Sequence, residues 1–246
     1  MKARQTQGFT IIEVILFLAI SALMMVGIIA AVSSTINQRR YTDAVRSAED
    51  YLKGQYGLVT DVRNNRPSTY TCSPSGIASG TSNPGTATCT IVGRYIDVAN
   101  DGTIKSEPVY ARADITGASV TGAANENDMI TNMNLVRAPA ALATDNVSYK
   151  IPWDIRVQAK LAAGGSKVNG FRMLIVQLPT GVVRTFTTIT SGAFSIAAIR
   201  SNAAVSDVSV CIDPNGLVAT KTQEITIKAG ATSASAIQHV GESSSC

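Results

Sequence analysis

From Phe9 to Val32 the chain runs for 24 residues with a single charge, Glu13. As an α-helix this run would be about 36 Å long, enough for the roughly 30 Å hydrocarbon core of a bilayer. A cleaved secretory signal would share the basic start at Lys2 and Arg4. Its apolar core, however, is only about 7–15 residues and ends in a small-residue cleavage site. The run therefore reads as a transmembrane helix over 9–33, and the fold has to begin from a helix whose solvent is lipid. An acid inside a span costs about 2.5–3.5 kcal/mol at a helix centre and less near an end. Glu13 is then either wet at the interface or matched by a cation. A cut between Gly8 and Phe9 would create an amino group four residues before Glu13. One helical turn brings that ammonium, or a neighbouring subunit's, close enough to neutralise the acid.

The basic leader, Gly8-Phe9, Thr10-x-x-Glu13 and the long apolar run occur together in "GFTIIEVILFLAI" and its flanks. This segment resembles the class III leader and N-terminal segment of type IV pilins and pseudopilins. The resemblance implies a leader peptide over 1–8, removed by a prepilin peptidase after Gly8, with N-methylation of Phe9 and Glu13 as the filament-assembly acid. It also implies an α+β, type IV pilin-like fold, in which a long N-terminal helix packs on an antiparallel β-sheet head. The implied partners are homologous pilin subunits, the prepilin peptidase, the pilus assembly machinery and, before assembly, the inner membrane. The mature location would be an extracellular pilus or a filament of the cell envelope. One departure is plain: many major pilins have a proline near the middle of this helix, and this chain has Gly27 and Ala30 there instead. Gly27 still lowers helix propensity by about 1 kcal/mol relative to alanine.

Charge alone does not orient the span. Lys2 and Arg4 favour a cytoplasmic N-terminus, whereas Arg39, Arg40 and Arg46 follow the span and weigh against it. The four cysteines and the small-residue, β-rich remainder decide for an extracytoplasmic head over 34–246. Without Lys2, Arg4 and Glu13, the 21 basic and 17 acidic residues become 19 and 16, a net charge of +3. That is no electrostatic footprint of a dedicated nucleic-acid-binding domain, so DNA is a weakly supported partner.

Tyr41, Val45, Ala48, Leu52 and Val59 recur near helical spacing, with Arg46, Glu49, Asp50 and Lys53 between them. This predicts that the helix leaves the lipid and lays one face on the head over about 34–60. Continuous from Phe9 to about Leu58, it would be roughly 75 Å long. Gly54 and Gly57 weaken its end, and Pro67 stops it. The Ser/Thr/Gly/Pro-rich stretch "STYTCSPSGIASGTSNPGTATCTIV" reads as loop. Beyond it, "TCTIVGRYIDV" and "TIKSEPVYARADI", joined by Asn100-Asp101-Gly102, predict a hairpin. Further strand candidates are "VSYKIPWDIRVQAKL", broken or bulged at Pro152, then "FRMLIVQL", "VVRTFTTI", "VSDVSVCI" and "TQEITIKA". "ANENDMITNMN" reads as a loop or short helix start between two halves of the sheet. The end of the chain, from Val208, is similar to H-type minor pilins and pseudopilins. There a strand, a turn at Asp213-Pro214-Asn215-Gly216 and two further strands close the head.

Four cysteines allow three pairings. Cys72–Cys89 with Cys211–Cys246 is preferred because each pair closes a local segment; reduced thiols are the alternative. No C-x-x-C spacing is present to suggest metal or thiol-redox chemistry, and no cofactor is expected. The only histidine, His239, has no nucleophile motif beside it and reads as a surface or satisfied side chain. Asn125-Glu126-Asn127-Asp128 lacks the spaced acids of a known calcium loop and reads as solvated. Asn146-Val147-Ser148 is a formal glycosylation sequon, and Tyr149 and Trp153 read as core aromatics. The expectation is therefore a structural subunit, not an enzyme. The missing proline, the large head and the H-type ending favour a minor over a major subunit. The alternatives are a tip subunit that binds DNA or a surface ligand, and a pseudopilin of a type II secretion system.

Overall fold

The structure, a computed structural model, describes residues 10–61, 70–73, 76–81, 90–111, 125–137, 147–189, 195–216, 222–243 and 246. Helix α1 (Ile11–Thr60) is unbroken over 50 residues. Its length of about 75 Å follows from the rise per residue. The helix continues through Gly27, Gly54 and Gly57 and ends at Asp61, whose N–H donates to Gly57 O at 2.9 Å. It therefore stops well before Pro67, which lies outside the described residues. The stripe expected to face the head does so: Tyr41, Val45, Ala48, Leu52 and Val59 are all buried, joined by Ala44, Gln55 and Tyr56. Glu49 is buried as well, although the sequence places it among the polar positions; Lys53 reaches its carboxylate at 2.6 Å.

The head is antiparallel as expected, and among the described residues its strands form two main sheets. The larger has β3 (Thr90–Val98), β4 (Thr103–Ala111), β5 (Leu135–Arg137), β6 (Val147–Lys150), β9 (Phe171–Gln177) and β10 (Val183–Thr188). Its order is β10-β9-β3-β4-β5, with β6 pairing β4 on the edge that β5 also uses. The smaller has β7 (Arg156–Leu161), β8 (Val168–Asn169), β11 (Val208–Asp213), β12 (Gln223–Ile227) and β13 (Ile237–Glu242), in the order β13-β12-β11-β7-β8. Each expected strand is found, and the Asn100-Asp101-Gly102 hairpin joins β3 to β4. Within the stretch read as loop, β1 (Tyr70–Ser73) and β2 (Gly76–Ser79) pair as a small antiparallel hairpin. Backbone hydrogen bonding can organise such a segment despite its composition.

Alternation explains the layering. On β9, Phe171, Met173 and Ile175 face α1, whereas Leu174 and Val176 face the opposite side. That far side is covered by two short helices, α2 (Glu126–Asn132) and α3 (Ile196–Ser201), through Ile130, Ile196 and Ile199. The run expected as a loop or helix start thus begins a helix capped by Asn125, while α3 has no counterpart in the sequence reading. The smaller sheet turns Val157, Val208, Val210, Ile212, Ile225 and Ile227 toward the same core as α1. Burial of each such side chain contributes about 1.5–3 kcal/mol, so the helix and both sheets form one cooperative core.

The hairpin turn also ties the sheets together. Val157 N–H donates to Asn100 O at 2.8 Å, and Asn100 Nδ2 donates to Val157 O at 2.9 Å. Gly170 N–H donates to the same Val157 oxygen at 3.2 Å, from a backbone with φ of 75°. A Cβ at Gly170 would lie 2.2 Å from Val98 O, so this crossing needs glycine.

Candidate functional site

The candidate site is α1 itself, which divides into a free half and a fastened half. At its start Thr10 and Glu13 form a reciprocal cap. Thr10 N–H and the Thr10 hydroxyl both donate to Glu13 Oε2 at 3.0 Å, and Glu13 N–H donates to Thr10 Oγ1 at 3.3 Å. Three of the donors at the helix entrance are thereby satisfied inside the chain. The Thr-x-x-Glu spacing is a capping-box signature in its own right, a local signal of the helix start that is separate from the family resemblance. Gly8 and Phe9, the expected cleavage and methylation positions, lie outside the described residues.

From Ile11 to Ile36 every large apolar side chain is exposed, Ile11 at 81% and Leu23 at 74%. This is the one helix among the described residues long and apolar enough to cross a membrane, and none of its most apolar stretch is buried. A soluble monomer rarely leaves so much contiguous apolar surface uncovered. The half is compatible with membrane insertion and equally with packing among other helices of its kind.

The fastened half begins abruptly at Tyr41, whose side chain is fully buried. Its hydroxyl donates to Ile212 O and accepts from Gln223 N–H at 2.7 Å. Ile212 and Gln223 are paired residues of β11 and β12. The phenol is therefore inserted at the last rung of that ladder. Burial pushes its pKa up to about 12, an effect opposed by the Gln223 N–H and reinforced by Asp213 and Glu242. Beside it, Gln223 Nε2 reaches Thr42 at 3.3 Å and Gln223 Oε1 meets His239 Nε2 at 2.9 Å. His239 is thus a half-buried member of β13 with a hydrogen-bond partner. Further up, Ser106 Oγ donates to Gln55 Oε1 at 2.6 Å, Tyr56 and Thr185 hydroxyls meet at 2.9 Å, and Tyr51 stacks on Tyr149 with centroids 4.7 Å apart. Tyr149 is partly buried in this stack. Trp153 is not in the core: it is 46% exposed beneath the Arg40 guanidinium.

The remaining candidates fall into place separately. Cys211 and Cys246 are joined by a disulfide with Cα atoms 5.4 Å apart, which ties the last residue to β11. Cys72 lies on β1, but its side chain and all of Cys89 lie outside the described residues, as does Asn146 of the sequon. The Asn125–Asp128 run opens α2, with Asn125 as its extended N-cap whose Oδ1 accepts from Asp128 N–H at 3.0 Å. Glu126 is held by Arg184 through two bonds of 2.5 and 2.6 Å, which lowers its pKa. That ion pair lies in an open hollow of about 640 Å³ and satisfies both of its own charges. No local pattern points to it, because its partners are 58 residues apart. Among the described residues, no group of three or more histidine, cysteine or acidic side chains is placed to hold a metal.

Comparison of the chain with protein-family models, with curated proteins and with solved structures finds no match. The class rests on architecture alone: an α+β subunit of generic pilin-like build, with a long N-terminal helix against an antiparallel head. It is a structural subunit whose N-terminal helix is suited to polymerisation.

Proposed function

We propose that the chain is a prepilin, cut between Gly8 and Phe9, methylated at Phe9 and polymerised through α1 into a type IV pilus or pilus-like filament. It acts as a structural component and not as a catalyst, and more as a minor than a major subunit. Before assembly it is held in the cytoplasmic membrane by the first half of α1, with the head outside. What carries the reading is the division of α1: one continuous helix, its first half wholly exposed and apolar, its second half locked into the head. Helices of that kind can be drawn from lipid into a bundle with little change in the apolar character of their surroundings, while the heads remain folded. The cap at Thr10 and Glu13 supports the same reading, since its atoms all lie beyond the proposed cut and survive it.

The test is mass spectrometry of the N-terminal peptide of native protein. N-methyl-phenylalanine at residue 9 is expected. Mature, membrane-extracted protein that still begins at Met1 would overturn the processing and leave a plain anchored domain.

A further inference from the structure

The segment Ile151-Pro152-Trp153-Asp154-Ile155 links β6 to β7, and its two isoleucines are buried at 1% and 0% exposure. Between them the chain does something unusual. Trp153 and Asp154 have φ of 73° and 49°, a left-handed conformation that side chains of this size seldom adopt. This backbone turns the indole outward, 46% exposed, although it is the largest apolar side chain in the protein and Ile151 and Ile155, two residues away on either side, lie in the core. The loop is braced to stay so: Ile151 N–H donates to Gly102 O at 3.0 Å, and Asn215 Nδ2 donates to Asp154 O at 3.1 Å. The indole faces the guanidinium of Arg40, with Cζ 4.7 Å from the ring centroid. Backbone strain held in place by two hydrogen bonds, and spent on exposing an aromatic ring, marks a surface with a use.

The position of Arg40 says which surface. It lies eight residues beyond Val32, where the uninterrupted apolar run ends. That is about 12 Å along the helix, and the headgroup layer adds about 5–8 Å to each side of the hydrocarbon core. Side chains on a helix lean toward its N-terminus, which for α1 is the bilayer side, and an arginine stem spans the remaining distance. We propose that Trp153 and Arg40 form a lipid-headgroup contact by which the head rests on the outer face of the bilayer before assembly. The guanidinium binds a phospholipid phosphate, and the indole sits in the glycerol–carbonyl zone, with its ring in the apolar part and its N–H toward water or ester oxygens. The contact fixes how far α1 is immersed and how the head is tilted above it. This inference rests on the reading of the first half of α1 as a membrane span.

Trp153 is the only tryptophan in the chain, so its fluorescence reports this contact alone. The full-length chain would be reconstituted at low protein-to-lipid ratio in phosphatidylcholine–phosphatidylglycerol vesicles. Quenching by aqueous iodide would be compared with quenching by lipids brominated at shallow and at deep acyl positions. The expected result is loss of iodide quenching relative to free indole, with shallow bromines quenching more than deep ones. If the chain resists alkaline extraction yet iodide quenches Trp153 as freely as free indole and no brominated lipid does, the headgroup contact is overturned and the span stands. If alkaline extraction releases the chain, both fall together. Iodide protection without bromine quenching, growing with the protein-to-lipid ratio, would overturn the lipid contact in favour of a second copy of the chain.

Discussion

The two halves of α1 belong to one helix with no break between them, yet they answer to different solvents. Up to Ile36 the isoleucines, leucines and methionines are spread around the whole circumference and all are exposed. From Tyr41 onward the buried residues form a stripe at 41, 45, 48, 52, 56 and 59, with Asp43, Arg46 and Asp50 exposed and Glu49 the one buried charge among the residues of this half. A helix apolar all round needs an apolar environment on every side, whereas a striped one needs a single partner face. The change falls within a few residues, at the point where Tyr41 enters the β11–β12 ladder. The first half thus adds nothing to the stability of the isolated head, and the second half is part of its core. Assembly and folding can then be altered independently.

The largest effect that separates the halves is expected from matched truncations. Leu52→Ala removes a side chain packed in the main core and should destabilise the head by about 2–5 kcal/mol, whereas Leu23→Ala should change it by less than about 0.5 kcal/mol. Denaturant titration of both variants, each in the same detergent, checks this. Equal losses would mean that the two halves share a core after all. Next in size is the Cys211–Cys246 bridge, which closes a 35-residue separation. Cys246→Ser should cost about 2–4 kcal/mol in the head and leave insertion of the first half unchanged, as read by melting temperature and alkaline extraction.

Tyr41 gives a smaller effect with a definite pH signature. Its phenol is neutral in the folded head, with a pKa raised from about 10 to about 12. Because the folded state holds this proton more tightly than the unfolded chain does, the stabilisation is complete below pH about 10. It is lost as pH rises from there through about 12. Tyr41→Phe leaves Gln223 N–H without the phenol oxygen and should cost about 1–3 kcal/mol at neutral pH. It should also flatten the decline in melting temperature between those two pH values. A decline as steep as wild type's would place the alkaline transition on Tyr51, Tyr56, Tyr95 or Tyr149, whose pKa values burial also raises.

Much of this division is legible in the residues. The apolar run and the helical spacing of Tyr41, Val45, Ala48, Leu52 and Val59 are local patterns, and local patterns survive tertiary folding when packing agrees with them. The hairpin at Asn100-Asp101-Gly102 is legible for the same reason. What was not legible depends on partners far apart in sequence. The separation of the strands into two sheets follows from long-range pairing that periodicity does not encode. Trp153 reads as core from its residue type, and only the left-handed backbone after Pro152 turns it out. Helix α3 is six residues long, too short to show a period. Tyr41 was legible as an apolar position, but its insertion into a strand ladder 171 residues away was not.

The smallest effect on the monomer concerns Glu13, and it sharpens the comparison most. In the isolated chain the carboxylate is already engaged, accepting from the N–H and hydroxyl of Thr10. Two roles are therefore superimposed on one side chain: a local cap, and the proposed pairing with an amine in the assembled filament. They respond differently to amidation. Glutamine at the third helical position still closes a capping box, so Glu13→Gln should leave the helix start within about 0.5 kcal/mol of wild type. It carries no charge, however, and an ammonium drawn into an apolar bundle would then be left unpaired, a loss of about 3–5 kcal/mol for a buried ion pair broken on one side. Glu13→Gln should therefore insert, fold and keep its helicity while failing to assemble, as read by circular dichroism in detergent and by recovery of sheared filaments. Thr10→Ala is the converse: it should weaken the cap by about 1 kcal/mol and leave the charge available, so that assembly persists. If Glu13→Gln assembles normally and Thr10→Ala does not, the acid at the head of the span is a helix cap and nothing more, and register in the filament must come from the apolar faces themselves.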